Sequence, residues 1–215
     1  MAKSRLAPEA QVLLPFLVAF SASAQGAPAT DTAVIVSCDT TAGQLDLEIF
    51  RAWSPKGANH FLELVKAGWF TDIAFFRAVP NFLVQFGINT DGSMKQRYGG
   101  VKIEDDPSLN IPFERGTLSY AGAGPNSRTN QVFISYGRNE GLGKSPWETP
   151  FGRVAAQSAD VLSQIYTGYG DMPPWGTGPS PGKIQEEGNA YVRNHFPKID
   201  FVRSCKVIDT TSHDL

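Results

Sequence analysis

Phe75-Phe76-Arg77-Ala78-Val79-Pro80-Asn81-Phe82-Leu83-Val84-Gln85-Phe86-Gly87 is the stretch on which the reading of this chain turns. Its second half, Phe82 to Phe86, is an apolar run of strand length interrupted only by Gln85, and Pro80-Asn81 ahead of it is a turn signal. The same pattern continues to Phe151. Gly116 to Ala121 and Val132-Phe133-Ile134 are further short apolar runs, set apart by Gly, Pro, Asn and Asp. Several short strands punctuated by turns indicate a mainly β sandwich or barrel. Upstream, Val34 to Phe50 predicts a hairpin. Val34 and Val36, then Leu45, Leu47 and Ile49, alternate with polar residues, and Thr40 to Gly43 supplies the turn. Ser54-Pro55 is an N-cap followed by a first-turn proline, Ala58, Phe61, Leu62 and Val65 recur at helical spacing up to Lys66, and Gly68 can end the helix. A second short helix is predicted over Ala159 to Tyr166. Residues 168–188, rich in Gly and Pro, are expected to form a long, closed-off surface loop of the Ω type. Phe201 to Ile208 is the last strand, and a polar tail, 209–215, follows.

Composition narrows the function classes. With 215 residues, 41% of them hydrophobic and 19% charged, the chain suits one soluble domain with a real core. A formal net charge of −2 provides no basic field to attract nucleic acid or anionic lipid. Residues 1–24 read as a signal peptide: Lys3 and Arg5, then the apolar Val12 to Phe20, then Ala22-Ser23-Ala24 as the cleavage site. That apolar run falls well short of the ~20 residues that span a bilayer, so no stable membrane insertion is expected. The reading is therefore a protein exported through the secretory pathway, its mature chain starting at Gln25, with 25–33 as a linker and 34–208 as the domain. Export would permit a Cys38–Cys205 disulfide, and two buried thiols in neighbouring strands are the alternative. Two cysteines without a nearby histidine do not make a zinc site, and no metal is expected.

Familiar catalytic motifs are missing. The sequence has no P-loop, no HExxH and no GxSxG, and in Gly122-Ala123-Gly124 the following Pro125 stands where a dinucleotide-binding helix would begin. His60, alone on a helix, reads as a surface or packing residue, and Asp105-Asp106 as solvated surface. Taken singly, Phe82, Leu83 and Phe133 read as core packing, and Arg77 as half of a surface salt bridge.

Taken jointly they read otherwise. The Phe75–Gly87 stretch, with Arg77, Phe82 and Gln85 at these spacings, resembles the first signature of the cyclophilin family. Ala121-Gly122-Ala123-Gly124-Pro125-Asn126-Ser127 with Gln131-Val132-Phe133-Ile134 resembles the second, and Phe151-Gly152-Arg153-Val154 resembles the strand before that family's second helix. The resemblance runs in order from Val34 to Ile208. It implies a closed eight-stranded antiparallel barrel with a helix at each open end, and a cofactor-free, monomeric peptidyl-prolyl cis-trans isomerase acting on proline-containing polypeptides and assisting their folding. It implies that Arg77, Phe82 and Gln85 are catalytic, that Leu83, Phe133 and Leu142 complete the proline pocket, and that Gln131 binds substrate backbone. Ala121 and Gly122 would run alongside the peptide. Because the family pairs its first and last strands, Cys38 and Cys205 would be neighbours. Three positions depart from the pattern: Phe76 replaces a common histidine, Gly122 a frequent asparagine, and Gly141 a tryptophan that offers cyclosporin-type inhibitors an aromatic wall and an N–H donor. Trp147 is a candidate to fill the space. A non-catalytic module that binds proline peptides, or a subunit that uses 168–188 as its contact, is the competing reading.

Overall fold

The computed structural model describes residues 32–208. The expected signal peptide, most of the linker and the polar tail lie outside them. Among the described residues nine strands form one antiparallel sheet: β1 (Val34–Thr40), β2 (Gly43–Ile49), β3 (Ile73–Ala74), β4 (Arg77–Val79), β5 (Leu83–Phe86), β6 (Thr117–Tyr120), β7 (Val132–Ser135), β8 (Gly152–Val154) and β9 (Phe201–Ile208). Their order is β3-β9-β1-β2-β8-β6-β7-β5-β4. The sheet curls around one core to which every strand except β3's Ala74 end and the short outer faces contributes, including Val36, Leu47, Ile73, Val84, Leu118, Ile134, Val154 and Val202. The expected hairpin is β1–β2, with Thr40 opposite Gly43.

The expected closed eight-stranded barrel is not what forms. The ladder has nine strands and stays open, as a curled half-barrel, between β3 and β4. These two strands are consecutive in the chain, with only Phe75-Phe76 between them. The reason lies in the edge of β4. Pairing of β3 with β9 stops at the Phe75 N–H, which donates to the Asp200 carbonyl at 3.0 Å, and the Ala78 N–H donates instead to the Gly170 carbonyl at 3.2 Å. A residue of the 168–178 loop thus takes the hydrogen-bonding edge that barrel closure would need.

Five helices, not two, are present among the described residues. α1 (Pro55–Lys66) buries Ala58, Phe61, Leu62, Leu64 and Val65 in the core, as its spacing predicts. Ser54 holds the N-cap position, but its side chain does not cap. Its hydroxyl donates to Asp106 Oδ2 at 2.5 Å, and the Asp106 carboxylate accepts the Lys56 N–H at 3.1 Å and the Gly57 N–H at 2.9 Å. Asp106 is 2% exposed and pairs with the fully buried Arg128 at 3.0 Å. The expectation of a solvated Asp105-Asp106 therefore fails for Asp106. A carboxylate fifty residues away satisfies the orphan N–H groups of the first helical turn and sits at the positive end of the helix dipole. His60, buried, bonds Asn130 Oδ1 at 3.0 Å as a packing residue.

The second expected helix shrinks to α3 (Val161–Gln164), preceded by a 3₁₀ turn at Ala156–Ser158. Leu162 and Ile165 still enter the main core. α2 (Gly92–Tyr98) buries no residue, so it leaves no apolar period to read. α4 (Pro181–Glu187) and α5 (Asn189–His195) replace the last part of the expected 168–188 loop. Ile184 and Val192 build a second core with Ala74, Phe76, Ile88, Ile199 and Phe201. No helix of the described residues is long and apolar enough to cross a membrane.

Cys38 and Cys205 stand directly opposite each other in the β1–β9 ladder and are bonded, with Cα atoms 4.0 Å apart.

Candidate active site

Strand alternation separates the site from the core. On β4, β5, β7 and β6, Ala78, Val84, Phe86, Val132, Ile134, Leu118 and Tyr120 point inward to the main core. Their neighbours point outward, and the register aligns them: Arg77 is opposite Gln85, Gln85 opposite Phe133, and Phe133 opposite Ser119. Cross-strand partners share a face, so one row across four strands carries a guanidinium, an amide and an aromatic ring on the outside of the sheet.

Leu83 and Phe133 are buried there, not in the main core but in a separate small cluster with Phe113, against which Phe82, Ala121 and Leu142 pack. The Phe113 and Phe133 rings stack at 5.7 Å. Phe82 reaches the cluster because the β4–β5 turn places it: Asn81 takes a left-handed φ of 62°, which asparagine tolerates, and the Phe82 N–H closes the turn on the Val79 carbonyl at 3.1 Å. Asn139 Nδ2 then holds the Phe82 carbonyl at 3.0 Å.

A polar chain borders this apolar floor. Arg77 Nη1 donates to Gln85 Oε1 at 3.1 Å, and Gln85 Nε2 donates to Gln131 Oε1 at 3.0 Å. The Arg77 guanidinium lies 5.5 Å from the Phe82 ring centre, within cation–π range. Its other edge is taken by Asp171, with Nε to Oδ1 at 2.7 Å and Nη2 to Oδ2 at 3.0 Å. Burial pushes the Asp171 carboxyl up, but the hydrogen bonds and charge of Arg77, with the Met172 N–H, outweigh that and hold it below the ordinary carboxylate range. Gln131 also lines a cavity of about 370 Å³ with Trp69, Asn89, Lys95, Gly100 and Gln185.

The structure brings Arg77, Phe82, Leu83, Gln85, Gln131, Phe133, Ala121 and Leu142 to one surface. Gly122 adjoins Ala121, half-buried beneath Trp147: a β-carbon on Gly122 would lie 2.9 Å from that side chain. Trp147 thus covers Gly122, while a β-carbon on Gly141 would meet nothing within 4 Å. Phe76, in the place of a common family histidine, is 1% exposed in the second core. Sequence reasoning missed Phe113 and Asp171. Phe113, in Ile111-Pro112-Phe113, belongs to no alternating run, and Asp171 sits in a Gly/Pro-rich segment that gives no periodicity. The only hint to Asp171 was that a half-buried arginine needs a carboxylate.

The sequence profile of the family described as cyclophilin type peptidyl-prolyl cis-trans isomerase/CLD matches residues 34–181. A Gibberella zeae protein named peptidyl-prolyl cis-trans isomerase-like 1 is 36% identical over 144 residues, covering 63% of this chain and 85% of the relative. Its namesake in Aspergillus niger is 35% identical over 125 residues, 55% of this chain and 74% of the relative. Among solved structures, a Cryptosporidium parvum cyclophilin type peptidyl-prolyl cis-trans isomerase superposes with a TM-score of 0.57 at 20% identity, over 83% of this chain and 99% of that one. The chain belongs to the cyclophilin family and is a peptidyl-prolyl cis-trans isomerase.

Proposed function

We propose that the X–Pro bond is turned in the outer groove of β4, β5, β6 and β7, with Arg77 as the central catalytic residue. An X–Pro bond isomerises slowly because rotation breaks amide resonance, against a barrier of ~18–20 kcal/mol. Catalysis needs no covalent intermediate. It needs a surface that binds the twisted amide more tightly than either planar form. The proline ring sits on Phe82, Leu83, Phe113, Phe133 and Leu142, all apolar and mutually packed. Gln85 and Gln131 hold substrate backbone, and Ala121 and Gly122 lie along the extended peptide. The cavity beyond Gln131 receives a side chain flanking the proline. The guanidinium donates to the prolyl nitrogen, whose lone pair is released as the amide twists, or to the proline carbonyl.

The observation that carries this reading is the row Arg77–Gln85–Phe133, which sets a fixed donor beside an apolar floor on the outward face. The same protein is read as exported and as assisting the folding of exported chains. The bonded cysteines support that, since a disulfide persists in oxidising compartments.

Arg77→Lys tests the assignment. Lysine keeps the charge but loses the planar fork, and loss of one preorganised donor commonly costs ~2.7–4 kcal/mol. The expected result, in a protease-free proline-isomerisation assay, is a hundredfold to thousandfold drop in kcat/KM, about the span of that energy, with an unchanged thermal melt. Near-native turnover by the folded variant would remove Arg77 from the mechanism.

A further inference from the structure

We propose that Asp171 is a positioning residue of this isomerase, fixing the Arg77 guanidinium so that its remaining donors face the bound X–Pro amide. The inference rests on the reading that Arg77 acts on that amide.

The geometry begins in the backbone. Ala78 and Gly170 form an antiparallel bridge. In antiparallel register the next pair outward is Arg77 and Asp171, so the ladder itself sets the two side chains side by side. The carboxylate then grips the Nε and Nη2 edge of the guanidinium in a bidentate fork, and Gln85 takes one hydrogen of Nη1. Arginine carries five N–H donors. Three are spoken for, and the two left over, one on each terminal nitrogen, lie outside the Nε–Nη2 edge that the carboxylate grips. Both side chains of the pair are under one-fifth exposed, 17% for Arg77 and 19% for Asp171, so the pair is sheltered from the screening that makes surface salt bridges weak.

The loop that carries Asp171 is built to hold it still. The Gly178 N–H donates to the Asp171 carbonyl at 2.8 Å, Thr177 Oγ1 to the Tyr169 carbonyl at 3.1 Å, and the Met172 N–H to Asp171 Oδ1 at 2.7 Å. Gly176 packs so tightly on the Asp171 backbone that a β-carbon there would lie 2.2 Å from the Asp171 carbonyl oxygen. Only glycine fits. Tyr169 and Met172, partly buried, pack against the second core, in which Phe76, the residue before Arg77, is buried. Carboxylate and arginine are thus fastened to the same apolar cluster. An arginine on its flexible three-carbon stem loses rotamer freedom when it is ordered; here that ordering is done before substrate arrives.

The test is steady-state isomerisation by the full chain as Asp171→Asn, Asp171→Ala, Arg77→Ala and the Arg77→Ala/Asp171→Asn double variant, with thermal melts of each. Misplacing a catalytic group by about 1 Å can cost a hundredfold. Asp171→Asn and Asp171→Ala are therefore expected to lower kcat about tenfold or more while KM moves less than about twofold. In the Arg77→Ala background, Asp171→Asn is expected to have no further effect on turnover. Unchanged or faster turnover by both Asp171 variants would overturn the proposal, the faster case meaning that Asp171 sequesters the arginine. An equal loss in the Arg77→Ala background would overturn it too, by making Asp171 structural. Near-native turnover by Arg77→Ala would instead fell the underlying reading of Arg77, and the proposal with it. As a readout independent of turnover, the Arg77 Nε–H should be protected from solvent exchange in the wild type and unprotected in Asp171→Asn; equal protection in both would count against the fork.

Discussion

Gly122, Gly141 and Trp147 show how single residues reshape a shared site. At Gly122 the absence of a side chain is what lets Trp147 approach the backbone, since a β-carbon would sit 2.9 Å from its side chain. The indole is spent there. At Gly141 the corresponding direction opens to solvent, with no atom within 4 Å of a notional β-carbon. Trp147 therefore covers Gly122 and leaves the space beside Gly141 unfilled. Cyclosporin-type inhibitors should accordingly bind this protein more weakly than family members with a tryptophan at the Gly141 position. Losing one hydrogen bond with its apolar contact costs ~1–3 kcal/mol, or about tenfold to a hundredfold in Kd. Calorimetric titration of wild type and Gly141→Trp checks it, and equal affinities would contradict it. Both glycines were visible as departures in the sequence. Which gap Trp147 fills was not, because the loop between Gly141 and Thr149 follows no period.

At the scale of elements, α1 depends on a residue from another part of the chain. Its own N-cap serine turns its hydroxyl to Asp106, and Asp106 in turn serves the Lys56 and Gly57 N–H groups and Arg128. Arg128 is fully buried, and it also bonds Ser54 and the Glu104 carbonyl. Removing one partner of a buried pair leaves the other charge uncompensated, so Asp106→Ala should lower stability by about 3–5 kcal/mol, read by denaturant titration. The pH dependence has a definite sign. Burial raises the Asp106 carboxyl, but the bonds from Ser54, Gly57, Lys56 and Arg128 outweigh it and the group stays below the ordinary carboxylate range. A depressed folded pKa gives stability that is fully present above the unfolded value, about pH 4, and is lost as pH falls through the folded one. Asp106→Asn should therefore flatten the acid arm of the stability profile and leave its slope above about pH 5 unchanged. An unaltered acid arm would show that Asp106 is not the group titrating. The sequence offered Ser54-Pro55 as the helix start, which is right in place and incomplete in chemistry. The same Ser-Pro pair recurs at Ser180-Pro181, where it opens α4, yet the surrounding Gly and Pro mask it.

For the whole molecule, the Cys38–Cys205 bond joins the first and last strands across a separation of 167 residues. Closing so long a loop restricts the unfolded chain, and native disulfides typically contribute 2–4 kcal/mol. The Cys38→Ser/Cys205→Ser variant should lose about that much stability in urea. Its kcat/KM should stay within about twofold of wild type, because neither cysteine belongs to the apolar floor of the groove or to the Arg77–Gln85–Gln131 chain and separate sites act nearly independently. A large loss of turnover in the folded double variant would contradict that separation.

What the sequence determined by itself is whatever has a short period or a fixed spacing. Alternation placed β1 and β2, short apolar runs between turn signals placed β5, β6, β7 and β9, the 3.6-residue period placed α1, and the resemblance to the family put Arg77, Phe82, Gln85, Gln131 and Phe133 on one surface. What only the tertiary structure decided depends on contacts between segments far apart in the chain. Asp171 meets Arg77 ninety-four residues away, Asp106 caps a helix that begins fifty residues earlier, Phe113 completes the floor beneath Phe133, and Gly170 takes the edge of β4 so that the sheet stays open. Each of these is a short-range force, a hydrogen bond, an ion pair or a ring contact, whose partners are chosen by how the backbone folds back on itself. A local pattern carries no record of that choice.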